Sequence, residues 1–418
     1  MVLTASPPQT PAAAAAATAA PPVADRALLI QALDHQNQGR VELAEQLFRF
    51  YLGHWPADPV ALYSLAVILL RRADPVEALL LLERGVRDVP GFAPLWFAHA
   101  TALQGVGRRD EALTSYQRAI DLKPDYTEAL INSGVLLREL LQHAAALDRF
   151  QRVLALQPAN ETALANCATL LTEFRRTEEA VAMLRQLQAI NPAYDYGVGM
   201  LVYEQLHACD WSGFDALSRQ VIEGVRAGKR ACKSLAFMGL SDSAEDHQRC
   251  ARTFSAHRYP PAGTRLWNGE RYRHDRIRLA YVSPDLREHP VGHLMAGIFE
   301  HHDRRRFETI AVSLGPDDGS RLRARMVAAF DHFIDARRMS AIDIARQLRA
   351  MEVDIAIDLA GYTADSRSDI FSHRPAPVQV NYLGYPGTLG NGYMDYILAD
   401  RHVIPPDQQR FYDERVIY

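Results

Sequence analysis

Two stretches in the second half of the chain combine residue types that could do chemistry. The first is Ser283-Pro-Asp285-Leu-Arg-Glu-His289-Pro290-Val291-Gly292-His293. His289 follows a strand end and leads directly into a helical pattern, with Pro290 at a favourable first helical position. An imidazole is the side chain suited to moving a proton in either direction near neutral pH. Asp285, four residues earlier, can orient the ring or take the proton itself, and the sequence leaves open which of the two is the base. His293, one helical turn on, reads as a packing or supporting residue. The second stretch is Leu383-Gly384-Tyr385-Pro386-Gly387-Thr388, where two glycines permit the close backbone approach a ligand needs. Between them lie Gly361-Tyr362-Thr363 and Asp317-Asp318-Gly319, the latter having the composition of a simple turn.

These stretches must be held by strands and helices. Residues 277–282, 309–314, 355–359, 378–383 and 396–399 are predicted strands, and 291–299 and 341–351 predicted helices. Alternation at this spacing predicts a doubly wound parallel α/β sheet. Ligands in such sheets bind beyond the carboxyl ends of the strands. The loops 283–290, 315–319, 361–366 and 384–390 are therefore the ones expected to line a site.

The first half has a different organisation. Pro56, Pro90, Pro124, Pro158 and Pro192 recur at intervals of 34 residues, as do Ala44, Ala78, Ala112, Ala146 and Ala180. Phe48, Leu82, Tyr116, Phe150 and Leu184 form a third column, and Leu28, Leu62, Trp96, Leu130 and Leu164 a fourth. A unit of this length holds two antiparallel helices. The alanine lets them approach, the large residue one turn later fills the gap, and the proline ends the second helix. Gly39 and Gly107 fall where the two helices turn, with Ala73, Leu141 and Arg175 at that place in the other copies. The pattern resembles the tetratricopeptide repeat family over residues 25–195. Stacked units make an α-solenoid with a concave, peptide-binding face. The sixth position of each unit, expected to point into that face, is Ile30, Ser64, Ala98, Asn132 and Asn166.

Composition narrows the function classes. A formal net charge of −4 argues against a nucleic-acid binder held by phosphate neutralisation. No apolar run reaches the roughly 18 residues of a membrane span. Cys167, Cys209, Cys232 and Cys250 are spaced for neither a zinc site nor a disulfide framework, which fits a reducing, cytoplasmic compartment. His247 and His257 have no partner at metal-ligand spacing. Residues 1–24 read as a disordered Ala/Pro-rich leader. Residues 196–274 lose the repeat period but stay helical, with Trp211, Phe214, Leu217 and Val221 on one face. They are expected to cap the solenoid and pass into the next domain.

The loops gain meaning as a set. Ser283–Met295, Gly315-Pro-Asp317-Asp318-Gly319, Asp358-Leu-Ala-Gly361-Tyr362-Thr363, Arg374-Pro-Ala-Pro377 and Leu383–Thr388, in this order behind the repeats, closely resemble the O-GlcNAc transferase and SPINDLY family. The resemblance implies an α-solenoid followed by the Rossmann-like N-terminal lobe, residues 275–418, of a GT-B type glycosyltransferase. It implies inverting transfer of N-acetylglucosamine from UDP-GlcNAc to Ser or Thr of proteins recruited by the repeats. It places His289 and Asp285 at the reacting centre, and Val291, Tyr362, Thr363, Leu383, Gly384 and Pro386 around the donor sugar. The family usually carries Thr where Val291 stands. Asn132 and Asn166 match a family ladder of asparagines that grips the acceptor backbone, since a carboxamide offers both a donor and an acceptor. No Asp-x-Asp sequence occurs, so no metal is expected. The family's diphosphate-binding lysine and uridine contacts belong to a second lobe, and Arg415–Tyr418 reads as the start of a further strand. By itself the 418-residue chain is thus expected to be an inactive fragment. The alternatives are a SPINDLY-like fucosyltransferase using GDP-fucose and a repeat scaffold without activity.

Overall fold

The computed structural model describes residues 23–418, with side chains from Arg26 onward. The expected leader lies outside the described residues up to residue 22, while Val23 and Ala24 already belong to the first helix, Val23–Asn37. The chain forms two compact units that divide between Ile190 and Asn191.

The first unit is five helical hairpins, opening with Val23–Asn37 against Val41–His54 and closing with Glu161–Glu173 against Thr177–Ile190. The second helices end at His54, Asp88, Leu122, Leu156 and Ile190, each two residues before a proline of the 34-residue column. Proline disfavours helix in the residue before it, which sets that boundary. Every alanine of the repeat is fully buried, as are Phe48, Leu82, Tyr116 and Phe150 beside them. Trp96 is too large for the pocket Leu62 and Leu130 occupy. It is half-buried, and its indole N–H donates to the Pro90 carbonyl at 2.8 Å.

The turns inside the hairpins share one backbone conformation whatever the residue. Gly39 and Gly107 have φ of 75° and 82°, and Ala73, Leu141 and Arg175 have φ of 59°, 60° and 58°. Three of the five turns therefore hold a side chain in the left-handed region, which costs on the order of 1 kcal/mol. Leu141 is 61% exposed and loses no packing on removal. Leu141→Gly should raise stability by about 0.5–1 kcal/mol, read as a higher urea midpoint; a lower midpoint would contradict the strained turn.

The second unit opens with helices Gly197–His207, Phe214–Arg226, Ser234–Phe237 and Ala244–Arg258. These belong to the same compact unit as the sheet, and Tyr196 and Phe254 enter the sheet's own core. Trp211, expected on the apolar face, precedes its helix and is 63% exposed, whereas Val221 is fully buried.

The sheet has seven parallel strands: β1 (Ile277–Ser283), β2 (Phe307–Ser313), β3 (His332–Asp335), β4 (Ile355–Asp358), β5 (Val378–Tyr382), β6 (Tyr396–Leu398) and β7 (Arg415–Ile417). Their order is β3-β2-β1-β4-β5-β6-β7, so the direction of winding reverses between β1 and β4. Both faces are covered. Ala280, Val282, Ile310, Val312 and Ala356 pack on one side with Ile344, Ala345 and Leu348 of helix Ala341–Ala350. Leu279, Tyr281, Ala311 and Ile357 pack on the other with Met295 and Phe299 of helix Pro290–Glu300 and Met326 of helix Arg321–Ala329. Alternate residues of one strand thus feed opposite cores, as buried parallel strands require.

Several elements were not anticipated from sequence, among them β3 and helices Arg321–Ala329, Asp369–Ser372 and Pro406–Phe411. β3 is four residues at the sheet edge with exposed ends, too short to show alternation, and Arg321–Ala329 is a helix whose arginines mask its apolar face.

Candidate functional site

The reversal between β1 and β4 places Val282 beside Asp358 in register, and the loops after these strands leave the sheet side by side. Asp285 follows β1 and is 7% exposed. Burial raises its carboxyl pKa, an effect opposed by the charges of His289 and Arg287 and reinforced by Asp365. His289 Nε2 stands 3.6 Å from Asp285 Oδ1, and an Arg287 nitrogen stands 3.7 Å from the same oxygen.

His289 also caps helix Pro290–Glu300: its Nδ1 accepts the Val291 backbone N–H at 3.3 Å. A nitrogen that accepts carries no proton, so the neutral ring holds its proton on Nε2, toward Asp285. His293 is turned away, paired at 2.6 Å with Glu288 on the surface.

The loop after β2 braces this arrangement. Asp318 accepts the backbone N–H of Glu288 at 2.8 Å and of Ser320 at 3.0 Å, which hold its pKa down to about 2. The buried Arg323 guanidinium donates to the Leu286 carbonyl at 2.7 Å and to Ser313 Oγ at 2.6 Å, over the ring of Phe333. Asp317 accepts the Gly319 N–H, so this stretch is a turn, but one that carries the β1 loop.

On the far side of the reversal, Leu383 and Gly384 follow β5 and press on the loop after β4. A Cβ at Gly384 would stand 2.0 Å from the Leu359 carbonyl oxygen, so no other residue fits. Leu383 is held at φ 69°, a strained conformation for leucine. Both are half-exposed, and Pro386 is exposed.

The remaining residues singled out from sequence differ in exposure. Val291 is 8% exposed and its side chain joins the apolar core with Met295 and Phe299, so only its amide faces the loop. Tyr362 is 6% exposed, stacked on Tyr259 with ring centroids 5.6 Å apart. Its hydroxyl donates to the Leu389 carbonyl at 2.6 Å, so it ties loops together inside the core. Thr363 is half-buried and its hydroxyl donates to the Ala360 carbonyl at 2.9 Å, with its lone pairs still free to accept. In the repeat unit Asn132 is 4% exposed, packed among the helices rather than presented. Asn166 is half-exposed, its carboxamide donating to the Thr162 carbonyl and accepting from Arg138 at 2.8 Å.

Asp358 escaped selection from sequence, although its place at a strand end inside the Asp358–Thr363 stretch was a signal. Its Oδ1 accepts the N–H of Ala360 and of Gly361, both at 2.9 Å, and its buried Oδ2 has no partner. Burial raises its pKa to about 6, against those two hydrogen bonds. Among the described residues no group of three or more His, Cys, Asp or Glu could hold a metal ion, and no helix is long and apolar enough to cross a membrane.

A helical-repeat array and a doubly wound parallel sheet, with an acid–histidine pair at the winding reversal, define a repeat-bearing α/β protein. Comparison with known proteins makes this specific. Residues 263–418 match glycosyl transferase family 41, and residues 29–91, 97–161 and 137–197 match tetratricopeptide repeats. Residues 263–418 are thus a glycosyl transferase family 41 segment behind tetratricopeptide repeats. It is 38% identical over 143 residues to a probable UDP-N-acetylglucosamine–peptide N-acetylglucosaminyltransferase, SEC, of Arabidopsis thaliana, covering 34% of this chain and 15% of the relative. It is 38% identical over 144 residues to the corresponding Caenorhabditis elegans transferase, covering 34% and 12%, and 30% identical over 144 residues to Arabidopsis SPINDLY, covering 34% and 16%. The aligned segment thus spans less than a fifth of these relatives' length. A Thermobaculum terrenum O-GlcNAc transferase structure aligns with a TM-score of 0.49 at 24% identity, covering 79% of this chain and 57% of that one.

The Asp358 geometry has a consequence for stability. The folded carboxyl keeps its proton up to about pH 6, whereas an unfolded aspartate loses it near ~4. The folded state binds more protons across that window, so this group's contribution falls as pH rises through it. Asp358→Asn should therefore be more stable than the parent above pH ~6, on the order of 2 kcal/mol, and equal to it below pH ~4. Urea unfolding at both pH values checks this, and a variant less stable at neutral pH would contradict the buried charge.

Proposed function

We propose that this chain carries the protein-recruiting and acceptor-activating part of an inverting glycosyltransferase of GT-B type. It would move N-acetylglucosamine from UDP-GlcNAc to Ser or Thr hydroxyls, without a metal, in the cytoplasm. The observation that carries the reading is the Asp285–His289 pair at the winding reversal, inside the family 41 segment 263–418, with support from 38% identity over 143 and 144 residues to two proteins named for N-acetylglucosamine transfer to peptides. The SPINDLY relative, 30% identical, is likewise named a probable N-acetylglucosaminyltransferase, and transfer of fucose from GDP-fucose is the second reading.

The geometry favours Asp285 as the base. Its carboxyl is raised by burial, so it accepts a proton more readily than an exposed aspartate. His289 offers an N–H toward the same oxygens and stabilises the carboxylate before transfer. The acceptor hydroxyl would lose its proton to Asp285 as its oxygen attacks the anomeric carbon, and the bond to the diphosphate would break with its electron pair leaving on UDP. Leu383, Gly384, Pro386 and Thr363 would bound the sugar. In the repeats, Asn166 is the carboxamide positioned to meet an acceptor backbone, by exchanging its bond with Arg138 for one to the peptide.

The test is sugar transfer by the full-length protein of its own cell, with UDP-GlcNAc and GDP-fucose supplied in parallel. Asp285→Asn should lose about 10²- to 10⁴-fold of the transfer rate, and His289→Ala about 10- to 100-fold, with acceptor binding unchanged in both. Transfer from GDP-fucose alone would select the second reading, and transfer from neither would favour a scaffold. Undiminished transfer by Asp285→Asn would move the base elsewhere. Asn166→Ala should weaken acceptor binding by several-fold while leaving donor KM unchanged, measured with a peptide acceptor.

A further inference from the structure

The loop that would face the donor sugar is held by a buried carboxylate whose two oxygens both bind it. Glu414, next to β7, is 3% exposed, and both its oxygens are committed to that loop. Oε1 accepts the Leu389 backbone N–H at 2.7 Å and Oε2 accepts the Thr388 hydroxyl at 2.6 Å. The direction of the second bond is fixed. Thr388 Oγ1 already accepts two backbone N–H groups, from Gly390 and from Asp413, both at 3.1 Å. A hydroxyl has two lone pairs and one proton, so its only remaining bond is a donation. Glu414 is thus met by two donors and must accept with both oxygens. Only a carboxylate does this. A glutamine would turn an NH₂ toward either an amide N–H or a hydroxyl with no lone pair left.

The clamp reaches the crevice through short covalent and hydrogen-bonded paths. The Leu389 carbonyl accepts the Tyr362 hydroxyl, and Tyr362 adjoins Gly361, whose amide is bound by Asp358. At the other end of the loop the Asn381 carboxamide donates to the Tyr385 carbonyl at 3.2 Å, and Gly384 rests on Leu359. Beside Glu414, Asp413 is tied to helix Ala244–Arg258 by Arg252 at 2.9 Å and Gln248 at 2.7 Å, which anchors the corner.

We propose that Glu414 is a positioning residue for the donor sugar, acting through Thr388 and Leu389 to hold Leu383, Gly384 and Pro386 against the loop after β4. This rests on the transferase reading for its kinetic consequence, whereas the clamp itself is independent of it. Removing one acceptor from two buried donors loosens the loop and costs sugar affinity without touching the reacting groups.

Two measurements on the full-length protein test it. Amide hydrogen exchange of the segment containing Leu389 and Gly390 reads the clamp directly. In Glu414→Gln protection should fall at least about tenfold. Donor KM for UDP-GlcNAc should rise about tenfold, with acceptor KM unchanged and kcat changed less than KM. Thr388→Val should reproduce both effects, and Thr388→Ser, which keeps the hydroxyl, should restore both to within about twofold. Unchanged protection in Glu414→Gln overturns the clamp. Lost protection with an unchanged donor KM overturns the positioning role. If the parent transfers no sugar the transferase reading fails, and exchange still decides the clamp. Should Glu414→Gln not fold, Thr388→Val and Thr388→Ser make the same comparison with the carboxylate intact.

Discussion

A parallel sheet buried on both faces leaves backbone amides at its two edges where water is scarce, and each must find an acceptor. In this lobe acidic side chains supply them. At the amino edge Asp354 accepts the Arg278 amide, Asp331 the Thr309 amide and Asp395 the Gln379 amide, each at 2.8 Å. At the carboxyl edge Asp358, Asp318 and Glu414 do the same for the loops after β4, β1 and β5. A charged acceptor makes a shorter and stronger bond than a carbonyl, so these contacts fix loop positions that no strand pairing could.

The same residue type is driven in opposite directions by its surroundings. Asp318, exposed and met by amides, ionises readily, while Asp358 and Asp285, buried near one another's loops, resist ionisation. The first is a brace and the others carry a cost to folding. Cost of that kind concentrates where chemistry is done, and here it coincides with the winding reversal and with the left-handed Leu383. His289 links the two roles, since the nitrogen that caps the helix determines which nitrogen is left to face Asp285.

The repeats obey a looser constraint. Their columns specify core contacts and helix ends, and the chain tolerates strained Ala73, Leu141 and Arg175 because the hairpins on either side over-determine each turn. Their inner face is less regular than the columns suggest. Asn132 is sealed into the stack while Asn166, 34 residues on, remains half-exposed.

What the amino-acid order determined by itself was periodic or local. The 34-residue columns gave helix ends and core positions, and the β1 and β5 loops stood out as unusual sequence next to strand ends. Pro290 after His289 marked a helix start that the structure places at that residue. The short edge strand β3 and the arginine-masked helix Arg321–Ala329 carried no period to read. Nor could sequence tell that Val291 and Tyr362 turn inward while Leu383 and Gly384 line the open side, since adjacent residues of a loop have no fixed alternation of faces. Glu414 acquires meaning only from partners 25 and 26 residues away, and Asp358, although it bonds to the next residues of its own loop, is made dry only by the packed sheet. The order of strands, by putting β1 beside β4, decided which carboxylates would be dry and which loop a buried acid would hold.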